Sequence, residues 1–474
     1  MRTLLASAPH ADTFGYTMPP PGLLRLGGEL LRRGFPVELD DLAYRLAAGE
    51  LPGGDGLLDA AAARLLAGGP PAVLGLSTMG ATLPAALGIA ERVRARAPET
   101  LLVLGGPGTG GLEEALLGRF PYVDAVVRGE GERTLVELLG ALAAGRGPAG
   151  VAGLSWRGAD GAVVREAARP PIADLGELAP CAWELLPPIA AYKRITGEDE
   201  GLVPIDSGRG CVYDCSFCSI GRFWGRRSRV LPVERLVAEM AALRDVPGAR
   251  NAYLCHDLFG ADRAHALELC RTLIDAGPGV PWEARGRIDH LDRELLELMG
   301  RAGCYRVLLG VETADAGLRN RHQKRMSPAV DVLSAVEDCA RAGIVPILSF
   351  LLGLPGEDER GLRSTLDLAA AAALRTGVQL SLHLVNPQPG CGLGEEHGGR
   401  SRPVPGIPPD MAWGAGETGP ERALIEAHPD LFGTWALLTG EPGGKPHLVA
   451  LHGIASELPE LLMRYPRTLS LIHI

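Results

Sequence analysis

Residues 207–220 read Ser207-Gly-Arg-Gly-Cys211-Val-Tyr-Asp-Cys215-Ser-Phe217-Cys218-Ser-Ile220, which sets three thiols in one short loop with the spacing C-x3-C-x2-C. Three thiolates this close can converge on one soft centre: zinc, copper(I) or an iron–sulfur cluster. A structural zinc site wants four ligands, usually as two separated pairs, and no second C-x2-C pair follows. A cubane cluster has four irons, so three cysteines leave one iron open to a ligand from outside the protein.

Downstream of the loop the chain repeats strand, polar loop and helix. Val203–Asp206 leads into the cysteines and Val233–Arg244 reads as a helix. Ala252–Cys255 ends at His256-Asp257, and Pro281–Arg285 ends near Arg287 and Asp289. Tyr305–Leu309 ends at Gly310-Val-Glu312-Thr313, Pro346–Leu352 at Gly353-Leu-Pro-Gly-Glu357, and Gln379–Leu384 at Asn386-Pro-Gln-Pro-Gly390. Six such units predict a parallel barrel or partial barrel over 205–394, with the site at the carboxyl ends of its strands. Strand-end carboxylates such as Asp257 and Glu312 can bind a ligand or cap the next helix. Arg285 and Arg287 suit a carboxylate or a neighbouring acid. Cys255, Cys270, Cys304 and Cys339 fall in apolar patterns and are expected in the core, and Cys391 is expected to be structural.

Upstream, residues 1–175 alternate short apolar strands (Thr3–Ser7, Pro36–Asp40, Ala72–Ser77, Leu101–Gly105, Val123–Arg128) with amphipathic helices such as Gly22–Arg33 and Leu83–Ala97. This predicts a doubly wound, Rossmann- or flavodoxin-like α/β domain. Ligands of such sheets lie beyond the strands' carboxyl ends, here Ser77 and the glycine run Gly105-Gly106-Pro-Gly108, where glycine lets backbone approach a bulky ligand. The run lacks G-x-G-x-x-G spacing and a P-loop lysine, so a nucleotide site is not indicated. Residues 176–204 are proline-rich and read as a linker lying across the next domain.

The cysteine spacing with Phe217 before the last thiol resembles the radical S-adenosylmethionine (SAM) superfamily, whose six-fold β/α partial barrel matches the strand count. The order of the upstream domain, with Pro19-Pro-Pro-Gly22, Gly105-Gly106 and Arg128-Gly-Glu-Gly-Glu132, is similar to the cobalamin (B12)-binding domain that precedes many members. The resemblance implies that Cys211, Cys215 and Cys218 ligate a [4Fe–4S] cluster, with SAM on the open iron. Phe217 would lie against the adenine, Asp257 near the SAM amino group, and Glu312 on polar groups of SAM. Gly353 and Glu357 would form the adenine-side motif, in which Ser349 replaces the first glycine. Ser77, Gly105 and Gly106 would contact cobalamin. The D-x-H-x-x-G element with an axial histidine is absent, and His10 is the one histidine before residue 256.

The implied activity is reductive cleavage of SAM to a carbon radical, with methylation of an unactivated carbon or phosphorus of a small molecule or peptide. Electrons would come from a donor such as flavodoxin or ferredoxin. A radical SAM cyclase, ring contraction or epimerase, with or without cobalamin, is the alternative. A non-catalytic metal-binding scaffold is a third reading. No cysteine precedes Cys181, so a second cluster in the first domain, as a methylthiotransferase would need, is not indicated.

The 474 residues are 46% hydrophobic and 22% charged, with a net charge of −10, values of a globular chain of two or three domains. The acidic balance argues against nucleic acid, and no apolar run reaches the eighteen residues of a membrane span. Nine cysteines, an odd number, fit a reducing cytoplasm better than a disulfide framework. Residues 395–468 lack the barrel pattern and read as a C-terminal extension with helices at Glu421–His428 and Ile454–Tyr465. The last six residues, 469–474 (Leu-Ser-Leu-Ile-His-Ile), match the translation of a sequencing adaptor and are set aside.

Overall fold

A computed structural model describes residues 1–9, 18–196, 201–277, 279–327, 329–375, 377–398, 401–404, 418–438, 449–455 and 457–459. His10, residues 469–474 and parts of the expected helix 454–465 lie outside them. The chain divides into two compact units. The first holds residues 1–204 together with 388–390 and 411–436, and the second holds 205–387, 391–410 and 437–474.

The first unit is built on a sheet of seven strands: β1 (Thr3–Ser7), β2 (Glu38–Asp41), β3 (Val73–Ser77), β4 (Leu101–Gly105), β5 (Ala125–Val127), β6 (Leu154–Arg157) and β7 (Val163–Arg165). Their order is β2-β1-β3-β4-β5-β6-β7. The pairings through β5 are parallel, with Leu5 opposite Gly75 and Leu76 opposite Leu104. This is the flavodoxin-like order, which reverses direction between β1 and β3 and so opens a crevice at their carboxyl ends. Period-two alternation sends Leu4, Leu74, Leu76, Leu102 and Leu104 to one core and Leu5, Val73, Val103 and Ala125 to the other. Helices α1 (Pro21–Arg32), α2 (Leu42–Ala47), α3 (Leu57–Leu66), α4 (Leu83–Arg96), α5 (Glu113–Arg119) and α6 (Gly131–Ala143) supply the covering side chains. Those of α3 and α4 fill the first core and those of α1 and α6 the second.

Three features depart from expectation. The β/α alternation stops after α6: β6 and β7 form a hairpin antiparallel to β5. Residues 176–192, expected to be a linker, pack on the first unit. The carbonyl of Ala179 accepts from Arg25 Nη1 at 2.6 Å, and the Ala182 N–H donates to the Leu24 carbonyl. A Cβ on Gly28 would come within 1.9 Å of the Pro180 carbonyl, so only glycine lets the segment lie on α1. Its helix α7 (Ile189–Thr196) delivers Tyr192, whose hydroxyl donates to buried Asp41 at 2.8 Å. Finally, residues 418–436 are part of the first unit's core, with Ile425, Leu431, Phe432 and Trp435 buried beside α4.

A second sheet has six strands: β8 (Leu202–Ile205), β9 (Asn251–Leu254), β10 (Trp282–Arg287), β11 (Cys304–Glu312), β12 (Val345–Leu352) and β13 (Gln379–Leu384). Spatial order follows chain order, with β8 and β13 at the edges, and the pairings from β9 to β13 are parallel. The intervening helices α8 (Val233–Ala242), α9 (Arg263–Asp275), α10 (Arg293–Arg301), α11 (Val332–Arg341) and α12 (Glu359–Ala373) pack side by side in the same order. Sheet and helix layer together form the expected open (β/α)6 barrel. Asp262, Asp292, Asp331 and Asp358 cap four of these helices through their carboxylates, satisfying otherwise unpaired N–H groups. Cys270, Cys304 and Cys339 are buried, as their apolar settings predict. Cys391 is buried too, and its sulfur accepts from the Gly394 N–H at the start of a short helix, α13 (Gly392–His397).

Candidate active site at the cysteine loop

The cysteines follow β8 directly, at the carboxyl end of the barrel sheet. Their loop is pinned from several strand ends. Asp257, after β9, accepts from the Gly210 N–H at 3.1 Å. Gly210 has φ +91°, and a Cβ there would meet the Arg227 carbonyl at 2.1 Å. Ser216 donates its N–H to the His322 carbonyl and accepts from the Leu393 N–H. The buried His322 ring bridges two loops, Nδ1 to Ser216 Oγ at 2.8 Å and Nε2 to the Pro355 carbonyl at 2.9 Å. A carbonyl only accepts, so Nε2 carries the proton. Burial lowers the ring's pKa, and a neutral ring leaves Nδ1 to accept from the serine.

Two cations face the thiols. Arg287, the last residue of β10, is 4% exposed. Its Nε and Nη2 hold Asp289 at 2.9 and 3.0 Å, and Nη2 also reaches the Lys324 and Arg325 carbonyls. Nη1 is buried with no partner. The guanidinium lies 4.0 Å from the ring centroid of Tyr213, between Cys211 and Cys215, and the Tyr213 hydroxyl meets His290 Nε2 at 2.6 Å. Lys324 pairs with Glu312 at 2.6 Å, both side chains buried. Glu312 itself has φ +69°, a conformation costly for a residue with a side chain. Burial raises the thiols of Cys211 and Cys215, and that of Cys218 to about 12. Arg287 and Lys324 pull Cys211 and Cys215 back toward ionisation.

None of the nine cysteines is in a disulfide. Among the described residues no three His, Cys, Asp or Glu side chains stand close enough to hold a single ion. In a cubane each thiolate binds its own iron, so the ligands stand farther apart than around one ion. A negatively charged cluster also suits the two cations and the orphaned Nη1. Cys211, Cys215 and Cys218 therefore fit a [4Fe–4S] cluster.

The other predicted residues are distributed as follows. Asp257 is solvent-exposed yet crowded by protein, and desolvation raises its carboxyl while the Gly210 N–H and Arg285 oppose the shift. Phe217 packs against a small apolar cluster with Leu354, Val385 and Cys391. Glu357 turns back on its own loop, accepting from the Gly353 N–H at 2.7 Å. Its other oxygen is buried without a partner, and burial raises its pKa to about 7. In the first unit Ser77, Gly105 and Gly106 sit together at the ends of β3 and β4, half-exposed where the strands behind them are mostly buried. A Cβ on Gly106 would strike the Thr78 carbonyl at 2.5 Å, and one on Gly108 the Met79 carbonyl at 2.4 Å. These glycines thus allow the close packing of two loops. The open strand ends suit a flat cofactor, and no histidine occurs among the described residues of 1–175 to supply an axial ligand. Sequence reading missed Lys324 and Tyr213 as neighbours of the thiols, because only the folded loops bring them there.

Comparison with known families agrees with this geometry. The family model of the radical SAM superfamily matches residues 205–369, and that of the B12 binding domain matches residues 9–139. The chain carries both a radical SAM domain and a B12-binding domain. This radical SAM protein is 28% identical over 374 residues to an uncharacterized methyltransferase of Pyrococcus horikoshii, covering 78% of each chain. It is 31% identical over 281 residues to the anaerobic magnesium-protoporphyrin IX monomethyl ester cyclase of Rubrivivax gelatinosus, covering 57% of this chain and 49% of that one. Its fold matches the solved structure of the radical S-adenosylmethionine methyltransferase TsrM from Kitasatospora setae, with a TM-score of 0.68, 20% identity and 99% of both chains covered. The radical SAM domain implies a [4Fe–4S] cluster and SAM, and the B12-binding domain supports cobalamin as a further cofactor. No described helix is long and apolar enough to cross a membrane.

Proposed function

We propose that the protein is a cobalamin-dependent radical SAM methyltransferase that modifies an unactivated carbon or phosphorus of a small molecule or peptide. The supporting observation is the combination in one chain of a three-thiol loop facing two buried cations with a B12-binding domain that has no axial histidine among its described residues. When bound, the cofactors supply one-electron cleavage of SAM and a methyl carrier.

The chain's residues hold and orient. Cys211, Cys215 and Cys218 would ligate three irons, and Arg287 and Lys324 offset the negative charge of the thiolates. Asp257 fixes the cysteine loop through Gly210, and its exposed side would receive the amino group of SAM. Glu312, held by Lys324, is the candidate for other polar groups of SAM, with Phe217, Gly353 and Glu357 on the adenine side. Ser77, Gly105 and Gly106 border the crevice assigned to cobalamin. A low-potential one-electron carrier, a flavodoxin or ferredoxin, is the expected electron donor. The similarity to a cyclase supports a second reading, radical ring closure on the same cofactors.

The test uses anaerobically reconstituted protein grown with the vitamin. It should hold about four irons per chain, show a corrinoid visible spectrum and cleave SAM when reduced by dithionite. A Cys215→Ala protein that still cleaves SAM would sink the cluster assignment. Protein without corrinoid that still cleaves SAM would move the assignment away from methyl transfer.

A further inference from the structure

The loop after β3 is gripped from two directions. From one side, the Thr78 N–H donates to the Gly105 carbonyl at 2.8 Å, its hydroxyl donates there at 3.0 Å, and the Gly108 N–H donates to the Thr78 carbonyl. From the other side comes a stretch of chain 354 residues away. Trp435 Nε1 donates to the Ala81 carbonyl at 3.2 Å. A Cβ on Gly80 would lie 2.2 Å from Thr434 Oγ1, so the Thr434 side chain rests on the Gly80 backbone. Thr434 and Trp435 are 3% and 6% exposed, while Met79 between the two grips is 50% exposed.

The far segment is itself firmly seated on the first unit. Its helix α14 (Gly419–Ala427) begins with a capping box between Thr418 and Glu421. The Gly419 N–H donates to Asp55 at 2.7 Å, and Asp430 forms a two-pronged pair with Arg119. Leu431 and Phe432 enter the core beside α4. Such seating costs the chain entropy and leaves Thr434 and Trp435 little freedom to retreat. The loop they touch begins one residue after Ser77, at the open strand ends where a sheet of this order binds its ligand.

We propose that Thr434 and Trp435 are positioning residues for cobalamin, a brace from the C-terminal part of the chain that sets the Ser77–Thr82 loop against the corrin. This rests on the B12 reading given above. The brace acts through the backbone at Gly80 and Ala81 and needs no contact of its own with the cofactor.

The experiment titrates aquocobalamin into full-length protein and follows visible absorbance. Gly80→Ala forces a Cβ into Thr434 and is expected to weaken binding at least about tenfold. Trp435→Phe keeps the bulk but loses the donor to Ala81, and should weaken binding several-fold. Thr434→Ala removes the hydroxyl that a Cβ at position 80 would strike. The double variant Gly80→Ala/Thr434→Ala should therefore bind within about threefold of Thr434→Ala alone. That rescue separates a steric brace from general damage to the domain. Unchanged affinity in both Gly80→Ala and Trp435→Phe overturns the proposal, as does a Gly80→Ala defect that Thr434→Ala fails to relieve. Wild-type protein that takes up no cobalamin overturns the B12 reading itself, whereas wild-type binding with indifferent variants removes the brace alone.

Discussion

The guanidinium of Arg287 lies 4.0 Å from the ring centroid of Tyr213, so the middle of the cysteine loop rests against a buried cation. A desolvated cation–π contact contributes about 2 kcal/mol, and the charge also lies within range of Cys211 and Cys215. Adding an electron to a cluster makes it more negative, which a nearby positive charge favours. Arg287→Gln should therefore shift the cluster's midpoint to more negative potential, by on the order of tens of millivolts. Arg287→Lys, which keeps the charge but loses the planar contact, should shift it less. Redox titration monitored by electron paramagnetic resonance reads this directly, and equal potentials in wild type and Arg287→Gln would remove the role.

Glu312 and Lys324 form the second charged element, a pair with side chains 10% and 9% exposed. Removing one partner of such a pair strands the other and costs about 3–5 kcal/mol, whereas replacing both can be nearly neutral. Glu312→Gln and Lys324→Met should each lower the denaturant midpoint markedly. The double variant should lose less than the sum of the two. Additive losses would mean that the two groups do not depend on each other.

Much of this was legible in the sequence because it depends on local pattern. Apolar runs such as Leu101–Gly105 and Gln379–Leu384 are strands at those bounds. The cysteine spacing and the strand-end polar residues give the site its place in the fold. Other parts were less legible, for separate reasons. Asp160-Gly161 between Trp156 and Val163 is a hairpin signal that the preceding β/α rhythm outweighs. Lys324 lies in an irregular stretch after Glu312, and nothing local shows that it returns to that carboxylate. Residues 418–436 carry ordinary helical and apolar patterning, while their place beside α4 is set by tertiary packing alone.

Tyr192 shows the same limit in the segment expected to be a linker. Its hydroxyl and that of Ser7 both donate to Asp41, which is 2% exposed and whose carboxyl is raised by burial. Tyr192→Phe removes one donor from a buried carboxyl, a loss of about 1–3 kcal/mol. It should also loosen residues 176–192 from the first unit. Limited proteolysis should cut this segment faster in the variant, and an unchanged rate would show that it is held without the tyrosine by Arg25 on the Ala179 carbonyl and by Glu29, which accepts from the Ala179 N–H at 3.2 Å.

Glu357 gives a pH dependence with a definite sign. Burial raises its pKa from the model-peptide value of 4.5 to about 7 in the fold, so the native state binds the proton more tightly than the unfolded chain does. Its contribution is fully present below the unfolded value and is lost as pH rises through about 7. Each pKa unit corresponds to roughly 1.4 kcal/mol, and the side chain is partly exposed, so the loss between pH 5 and pH 8 should be on the order of 2 kcal/mol. Glu357→Gln cannot ionise, and its side-chain oxygen can still accept from the Gly353 N–H. In cofactor-free protein the variant should be the more stable at pH 8, with a difference that narrows toward pH 5. Urea denaturation at the two pH values measures this. Parallel stability curves for wild type and variant would mean that the second oxygen of Glu357 is not desolvated in solution.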